Sequence, residues 1–348
     1  MSVAILIPTK NRPEFLIRQL FFYSLVGAKN PIYILDSSDH ELPDFASKAI
    51  AKFSCDFPIS YEKNSKLNER QAIGVLLKKC REPFCAFNGD DDFLVPSGLE
   101  SAAKFLGENP DYRVAHGQGR IFHSSNVDLM IRRLVGAGDY WKAPDFSDSN
   151  LLLRLEKYSN NYFVPMFSVH RTSEFNHDWR NNDNNPSMSF GELMPNFITI
   201  ARGKAKFLNV PYLVRQTHDK RGLLPSNFVD LLLIDNYSAG LDLAVQELSQ
   251  ALIDQDIKPL DATMHSKKFF NNYLINGFSK KGQCFNFKRL VILLIKKYLP
   301  LAVIRWLRFR LQQPLFFSDG KAIFFSGKEA ALIDAAIIKS ITTSLEDI

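Results

Sequence analysis

The chain has 348 residues, 46% of them hydrophobic and 29 of them Phe, which excludes a disordered protein and suffices for one large or two ordinary domains. Its four cysteines (Cys55, Cys80, Cys85, Cys284) form no Cys-x-x-Cys pair and no regular framework, so reduced thiols are expected. The net charge of +6 is uneven: residues 262–318 carry eleven Lys or Arg and no acid, leaving the rest at −5, so nucleic acid is not the expected partner of the N-terminal half.

Val3 to Ile7 reads as a buried strand, and Asn11-Arg12-Pro13-Glu14 after it has the form of a helix start, with Asn11 as cap and Pro13 in the first turn. Leu16, Ile17, Leu20 and Tyr23 then give that helix an apolar face. A second strand covers Ile32 to Leu35 and ends at Asp36. A weaker third covers Ile59 to Tyr61, a helix spans Leu67 to Lys79, and a fourth strand spans Phe84 to Phe87. A helix over Leu99 to Leu106 and a strand over Arg113 to Phe122 complete this half. Residues 123 to 230 are less regular, with strand-like runs at Tyr162 to Val169 and Ala205 to Tyr212. From Phe228 the pattern is mainly helical.

Five alternations of strand and helix predict a doubly wound, largely parallel sheet, in which ligands bind beyond the carboxyl ends of the strands. Pro8-Thr9, Asp36 and the triplet Asp90-Asp91-Asp92 all fall at such ends. Three adjacent carboxylates repel one another. Alternation of side chains along an extended chain gives Asp90 and Asp92 one face and Asp91 the other. A hard divalent cation, which takes oxygen ligands and keeps substrate phosphates in its shell, would relieve the repulsion.

ILIPTKNRPEFL, LDSSD and FNGDDDF together resemble the nucleotide-binding half of GT-A glycosyltransferases of the bacterial, family-2-like kind that make polysaccharides. The resemblance covers residues 1 to about 122 well and continues more loosely to about 220. It implies an α/β GT-A fold: a doubly wound mixed sheet, with a nucleotide-binding half (1–122), an acceptor half (123–225) and a helical C-terminal region (226–348). It also implies a nucleotide-sugar donor, Mn²⁺ or Mg²⁺, and inversion at the anomeric carbon.

Carried over by position, Pro8, Thr9 and Arg12 match the first-strand loop against the nucleoside, and Asp36 the carboxylate that reads the base. A carboxylate accepts from the N3–H of uracil or thymine, a donor that cytosine lacks, so a UDP- or dTDP-sugar is implied. Arg70 matches a helix position near the base. Asp90 matches the acidic position near the ribose, and Asp92 the metal ligand, supported by Asp90 and by His218 as a third ligand. Asp91 is the variable middle of the motif, and the assignment between Asp91 and Asp92 stays open by one residue. Glu192, one hundred positions after Asp92, matches the base that deprotonates the acceptor hydroxyl; here Leu193 follows it where the family has Asp. Glu174 and Asp183 compete for that role. Arg215 and Lys220 are alternative partners of the diphosphate.

Residues 287–313 alternate apolar and basic residues, interrupted by Lys296-Lys297 and Pro300, which predicts two helices meeting near the proline. No run is long enough to span a bilayer, and MSVAILIPTKNRP lacks the basic start of a signal peptide. A cytoplasmic protein is expected, peripheral on the inner face of the plasma membrane through an anionic surface contact at 262–318, with a glycan or lipid-linked acceptor. Two other readings stand beside the transferase. A sugar nucleotidyltransferase would want glycine in PTKNRPEF, which has none. A non-catalytic GT-A-like protein would bind a nucleotide sugar or a partner without turnover.

Overall fold

The structure, a computed structural model, describes residues 2–126, 132–141, 145–218, 236–282, 325 and 328–348. Its first half runs β1 (Val3–Thr9), α1 (Pro13–Leu25), β2 (Ile32–Asp36), α2 (Asp44–Phe53), β3 (Ile59–Lys63), α3 (Glu69–Lys79) and β4 (Phe84–Phe87). Then come β5 (Phe93–Leu94), α4 (Pro96–Glu108), β6 (Tyr112–Asn126), β7 (Arg132–Trp141), α5 (Leu151–Asn160), β8 (Val169–Arg171), α6 (Thr172–Asp178), α7 (Met188–Arg202) and β9 (Lys204–Thr217). Three further described helices are α8 (Tyr237–Ile253), α9 (Pro259–Gly282) and α10 (Lys328–Thr342).

One sheet of nine strands runs β3-β2-β1-β4-β8-β6-β9-β5, with β7 paired to β6. The strands β3, β2, β1 and β4 are parallel, and β8 pairs antiparallel with both β4 and β6, so the sheet is mixed. Every residue of β1 is buried, as a central strand covered on both faces requires. The register sets Thr9 opposite Asp36, and the Asn88 N–H continues the ladder to Leu6 O past the end of β4. The ends of β1, β2 and β4 therefore share one edge.

Helix α1 starts at Pro13 with Arg12 at the cap position, not Asn11. Asn11 instead takes a left-handed conformation (φ 57°), which Asn tolerates better than most residues. Its N–H donates to Ser38 Oγ at 2.7 Å and its amide to Asp39 at 2.7 Å, tying the loop that carries Arg12 to the end of β2. The run from Tyr162 is not a strand: Pro165 opens a 3-10 turn over Pro165–Phe167, and pairing begins only at Val169. The run from Ala205 is a strand and extends to Thr217.

Two apolar clusters hold the layers. One joins the sheet to α1–α4 and to α10; the other packs α5, α7, α8 and α9 around Phe190, Phe197 and Phe270. Arg18 of α1, 1% exposed, donates to the carbonyls of Ser340, Ile341 and Thr343 at 2.7, 2.9 and 2.9 Å. It thereby satisfies the orphan carbonyls at the end of α10 and places a cation at that helix's negative pole. No helix among the described residues is long and apolar enough to cross a membrane. Most of the basic segment, from residue 283 to 318, and Lys220 lie outside the described residues.

Candidate active site

The aspartate loop is held from below by its backbone. Gln19 Nε2 donates to Gly89 O at 2.7 Å and to Asp92 O at 2.5 Å, and Asn88 Nδ2 donates to Asp92 O at 3.2 Å. With the carbonyls satisfied in the core, the three side chains are held by donors from other elements, Arg12 being shared by Asp90 and Asp91. Asp90, fully buried, accepts from Thr9 Oγ1 at 2.7 Å and pairs with Arg12 at 2.6 Å. Asp92, 1% exposed, accepts from Arg215 Nε at 2.9 Å and from the Gln216 N–H at 2.9 Å. Asp91 meets His218 Nε2 at 2.8 Å and Arg12 at 3.4 Å, and its side chain keeps 11% exposure.

Asp90 and Asp91 lie in a turn closed by the Asp92 N–H to Gly89 O at 3.2 Å, so the alternation expected of an extended chain does not apply to the triplet. Asp90 and Asp92 are buried against different partners, and Asp91 is the one of the three that keeps some exposure. Asp90 and Asp92, read from the sequence as metal ligands, are turned into the protein, where resident cations relieve the repulsion. His218 lies behind Asp91, its side chain fully buried and its ring 4.3 Å from that of Phe15.

Burial pushes Asp90 up to about 7, against the pull of Arg12 and Thr9. Burial also opposes the charge on Asp91, but the His218 hydrogen bond and Arg12 outweigh it and hold Asp91 below the usual carboxylate range. Arg215 is spent on the scaffold: its guanidinium lies between the rings of Tyr140 and Phe167, 5.0 and 4.9 Å from their centroids, and donates to Tyr140 Oη at 2.6 Å.

At the end of β2, Asp36 is 1% exposed, accepting from the Ser38 N–H at 2.8 Å and from Tyr61 Oη at 2.7 Å. Burial and that hydrogen bond push the Tyr61 hydroxyl up, so it remains a donor. Pro8, buried, sits opposite Leu35.

Helix α3 presents Glu69 and Arg70 at the same edge, its start fixed by Asn68, which accepts from the Gln71 N–H in a capping box. Glu69 is open to solvent yet hemmed in. The crowded surroundings strip part of its hydration and raise its pKa, the charges of Glu192 and Asp91 raise it further, and Arg12 and Arg70 pull the other way. Arg70 lies across Gly191, where a Cβ would come within 2.4 Å of its Cδ, so glycine is what allows the approach of α3 to α7. Next to it Glu192, half-buried, accepts from Tyr162 Oη at 3.0 Å, and Asn196 Nδ2 donates to Tyr162 Oη at 3.1 Å. Burial and the Glu192 charge push Tyr162 far up, so its hydroxyl stays protonated beside the carboxylate.

Arg12 bridges Asp90 and Asp91, and Glu69 feels the charges of Asp91, Arg12, Arg70 and Glu192, so these residues gather at one edge. The competing acids are each paired with cations. Glu174 pairs with Arg113 at 3.2 Å and Arg171 at 3.3 Å, and Asp183 pairs with Lys78 at 3.6 Å. Sequence reading missed Tyr61, Glu69, Tyr162 and Gln216. Only Glu69 had a local signal, as the neighbour of Arg70 in a capped first turn.

No group of three or more His, Cys, Asp or Glu converges to hold a metal among the described residues. One partly exposed carboxylate is nonetheless enough protein donor for Mg²⁺ or Mn²⁺ when phosphate oxygens and water complete the shell. Asp91 fits that role, with His218 orienting its carboxylate.

No protein-family model and no curated protein matches this sequence. Among solved structures, the chain is similar to TarS 1-349 of S. aureus, with a TM-score of 0.51 at 14% identity over 90% of this chain and 81% of that one. The complex of TarS 1-349 with UDP-GlcNAc gives 0.50 at 14% identity, over 90% and 82%. With its mixed central sheet, the chain has the GT-A glycosyltransferase fold.

Proposed function

We propose that this protein is an inverting glycosyltransferase that moves a sugar from a UDP- or dTDP-sugar to a hydroxyl group of a glycan or lipid-linked acceptor. The observation that carries this reading is the cluster of charges at one edge of a GT-A sheet: Asp91, partly exposed beside Arg12, and Glu192, oriented by Tyr162, both acting on Glu69. The UDP-GlcNAc complex of TarS 1-349 supports a uridine donor.

In this reading the base stacks over the ends of β1 and β2, near Pro8 and Thr9. The Tyr61 hydroxyl turns aside so that Asp36 accepts from N3–H of uracil or thymine, with Arg70 beside the nucleotide. The diphosphate meets Arg12, 24% exposed at its side chain, and a divalent cation on Asp91. That cation, when bound, stabilises the negative charge on the leaving group. Glu192, held by Tyr162, removes the proton from the acceptor hydroxyl as its oxygen forms the bond to the anomeric carbon and the bond to the diphosphate breaks.

A role in surface polysaccharide synthesis follows from the same reading. The reading also gives α9 a membrane contact: within the described part of the basic segment it exposes Met264 and Ile275 beside Lys267 and Lys268, with Leu260 exposed just before it. Flotation with anionic liposomes tests that contact, and salt-insensitive exclusion from them contradicts it.

Titration calorimetry with UDP, with and without Mn²⁺, tests the site. Wild type binds more tightly with the metal. Asp91→Asn removes a charge-assisted contact of about 1.5–3 kcal/mol, a loss of roughly 10- to 100-fold, together with the metal dependence. Metal-dependent binding that survives Asp91→Asn contradicts the assignment.

A further inference from the structure

The carboxylates at this edge are held in two ways. Asp90, Asp91 and Asp92 are each paired with an arginine. Asp36 instead accepts from two neutral donors, the Ser38 N–H at 2.8 Å and Tyr61 Oη at 2.7 Å. The register of β2 and β3 brings Tyr61 there. It stands opposite Ile34, so Asp36 lies two residues farther along the neighbouring strand and on the same face, a diagonal that an aromatic side chain spans. Lys63, directly opposite Asp36, turns to Glu41 at 2.7 Å. The strand thus offers Asp36 a hydroxyl and withholds a cation.

A hydroxyl is the exchangeable kind of partner. Tyr61 has a single proton to donate, and rotation about its C–O bond redirects that proton without moving the ring. Each carboxylate oxygen has two acceptor sites, so Asp36 Oδ2 can take an N–H from a ligand beside Tyr61. Asp36 is 1% exposed and Tyr61 half-buried, so a ligand group that reaches this oxygen also meets the hydroxyl 2.7 Å from it. An arginine in place of Tyr61 would keep its charge-assisted bond to Asp36 and compete with a neutral N–H.

We propose that Tyr61 is a specificity-determining residue of the donor site: on binding, its hydroxyl turns from Asp36 to a carbonyl oxygen flanking N3 of uracil or thymine, while Asp36 accepts the N3–H. This takes as given the reading of the base by Asp36 proposed above. One bond inside the protein is exchanged for two to the base, and no donor or acceptor is stranded. Without ligand, the same hydroxyl keeps the buried carboxylate satisfied. Cytosine cannot make the exchange, because its N3 is an acceptor and its C4 carries an amino group where uracil has a carbonyl. A site built to hydrogen-bond a ligand group rejects an analogue lacking it more strongly than one that reads shape alone.

The test is calorimetry of the full chain and of Tyr61→Phe, with Mn²⁺, using UDP and its 2-thio and 4-thio analogues, in which a weakly accepting sulfur replaces one carbonyl oxygen. Wild type should bind the analogue altered at the contacted carbonyl about 3- to 10-fold more weakly than UDP. Tyr61→Phe should weaken UDP by a similar factor and erase the difference between UDP and that analogue, a coupling between hydroxyl and carbonyl. A tyrosine that only braces Asp36 would lower affinity for all three ligands equally, and that result overturns the proposal. So does a wild type that binds UDP and both analogues alike, a comparison that needs no variant. A wild type that binds no nucleoside diphosphate overturns the reading of Asp36 together with that of Tyr61, whereas unchanged ratios with UDP bound remove Tyr61 alone.

Discussion

Asp92→Asn separates the scaffold from the chemistry. In the wild type both oxygens of Asp92 accept hydrogen bonds, one from Arg215 and one from the Gln216 backbone, and the side chain is 1% exposed. The amide keeps the volume but offers one acceptor and brings an NH₂ against a donor. Arg215, 14% exposed at its side chain, is left as a buried cation without its carboxylate. Breaking one side of a buried pair costs about 3–5 kcal/mol. At the lower end of about 2–4 °C per kcal/mol, suited to a chain of this length, Tm falls by about 6–10 °C. Thermal unfolding followed by circular dichroism reads this directly. Arg215→Met added to Asp92→Asn removes the stranded charge and should recover part of the loss, a coupling that a double-mutant cycle measures. Asp91→Asn leaves Arg12 its pair with Asp90 and strands no arginine, so it should melt closer to wild type. If Asp92→Asn melts like wild type and instead abolishes metal-dependent UDP binding, Asp92 faces the ligand and the reasoning from burial is wrong.

Arg18→Met should cost about 3–5 kcal/mol, because three carbonyls at the end of α10 lose a charged donor. Hydrogen exchange should show lowered protection in Lys328–Thr342, and unchanged protection there would refute the cap. Glu69 gives a pH test. Its folded-state pKa lies above the ordinary 4.5, so the folded protein holds that proton longer than the unfolded chain. Stability therefore falls as pH rises from about 4.5 through the raised value. Glu69→Gln should melt above wild type at pH 7, with the gap closing at about pH 4; a gap of equal size at both pH values would contradict the sign.

The strands that bear the site were legible because a central parallel strand is apolar along its whole length. Val3 to Ile7, Ile32 to Leu35 and Phe84 to Phe87 all fall within observed strands, and Leu67 to Lys79 contains α3. Pro165 inside an apolar run was the signal against a strand there. Asn11 shows the weakness of a local cap rule: its partner is Asp39, on another loop, and that contact decides its conformation. The triplet is the sharper lesson. Alternation is a rule for extended chain, whereas Asp90 and Asp91 lie in a turn; which carboxylate is buried is decided by Arg12, Arg215, Gln216 and Gln19, which come from β9 and from in and before α1. Spacing within FNGDDDF carries no information about partners more than one hundred residues away. Glu192 could be proposed from its position, whereas Tyr162, which orients it, had no signal at all.

The most direct test of the transferase reading is turnover of a panel of UDP- and dTDP-sugars with Mn²⁺, measured as nucleoside diphosphate release for wild type and Glu192→Gln. Wild type should release diphosphate from at least one donor, and Glu192→Gln should bind that donor with similar affinity while turnover falls by about 10²–10⁴-fold. Undiminished release by Glu192→Gln would remove the base assignment, and a wild type that binds no nucleoside diphosphate with any metal would contradict the account as a whole.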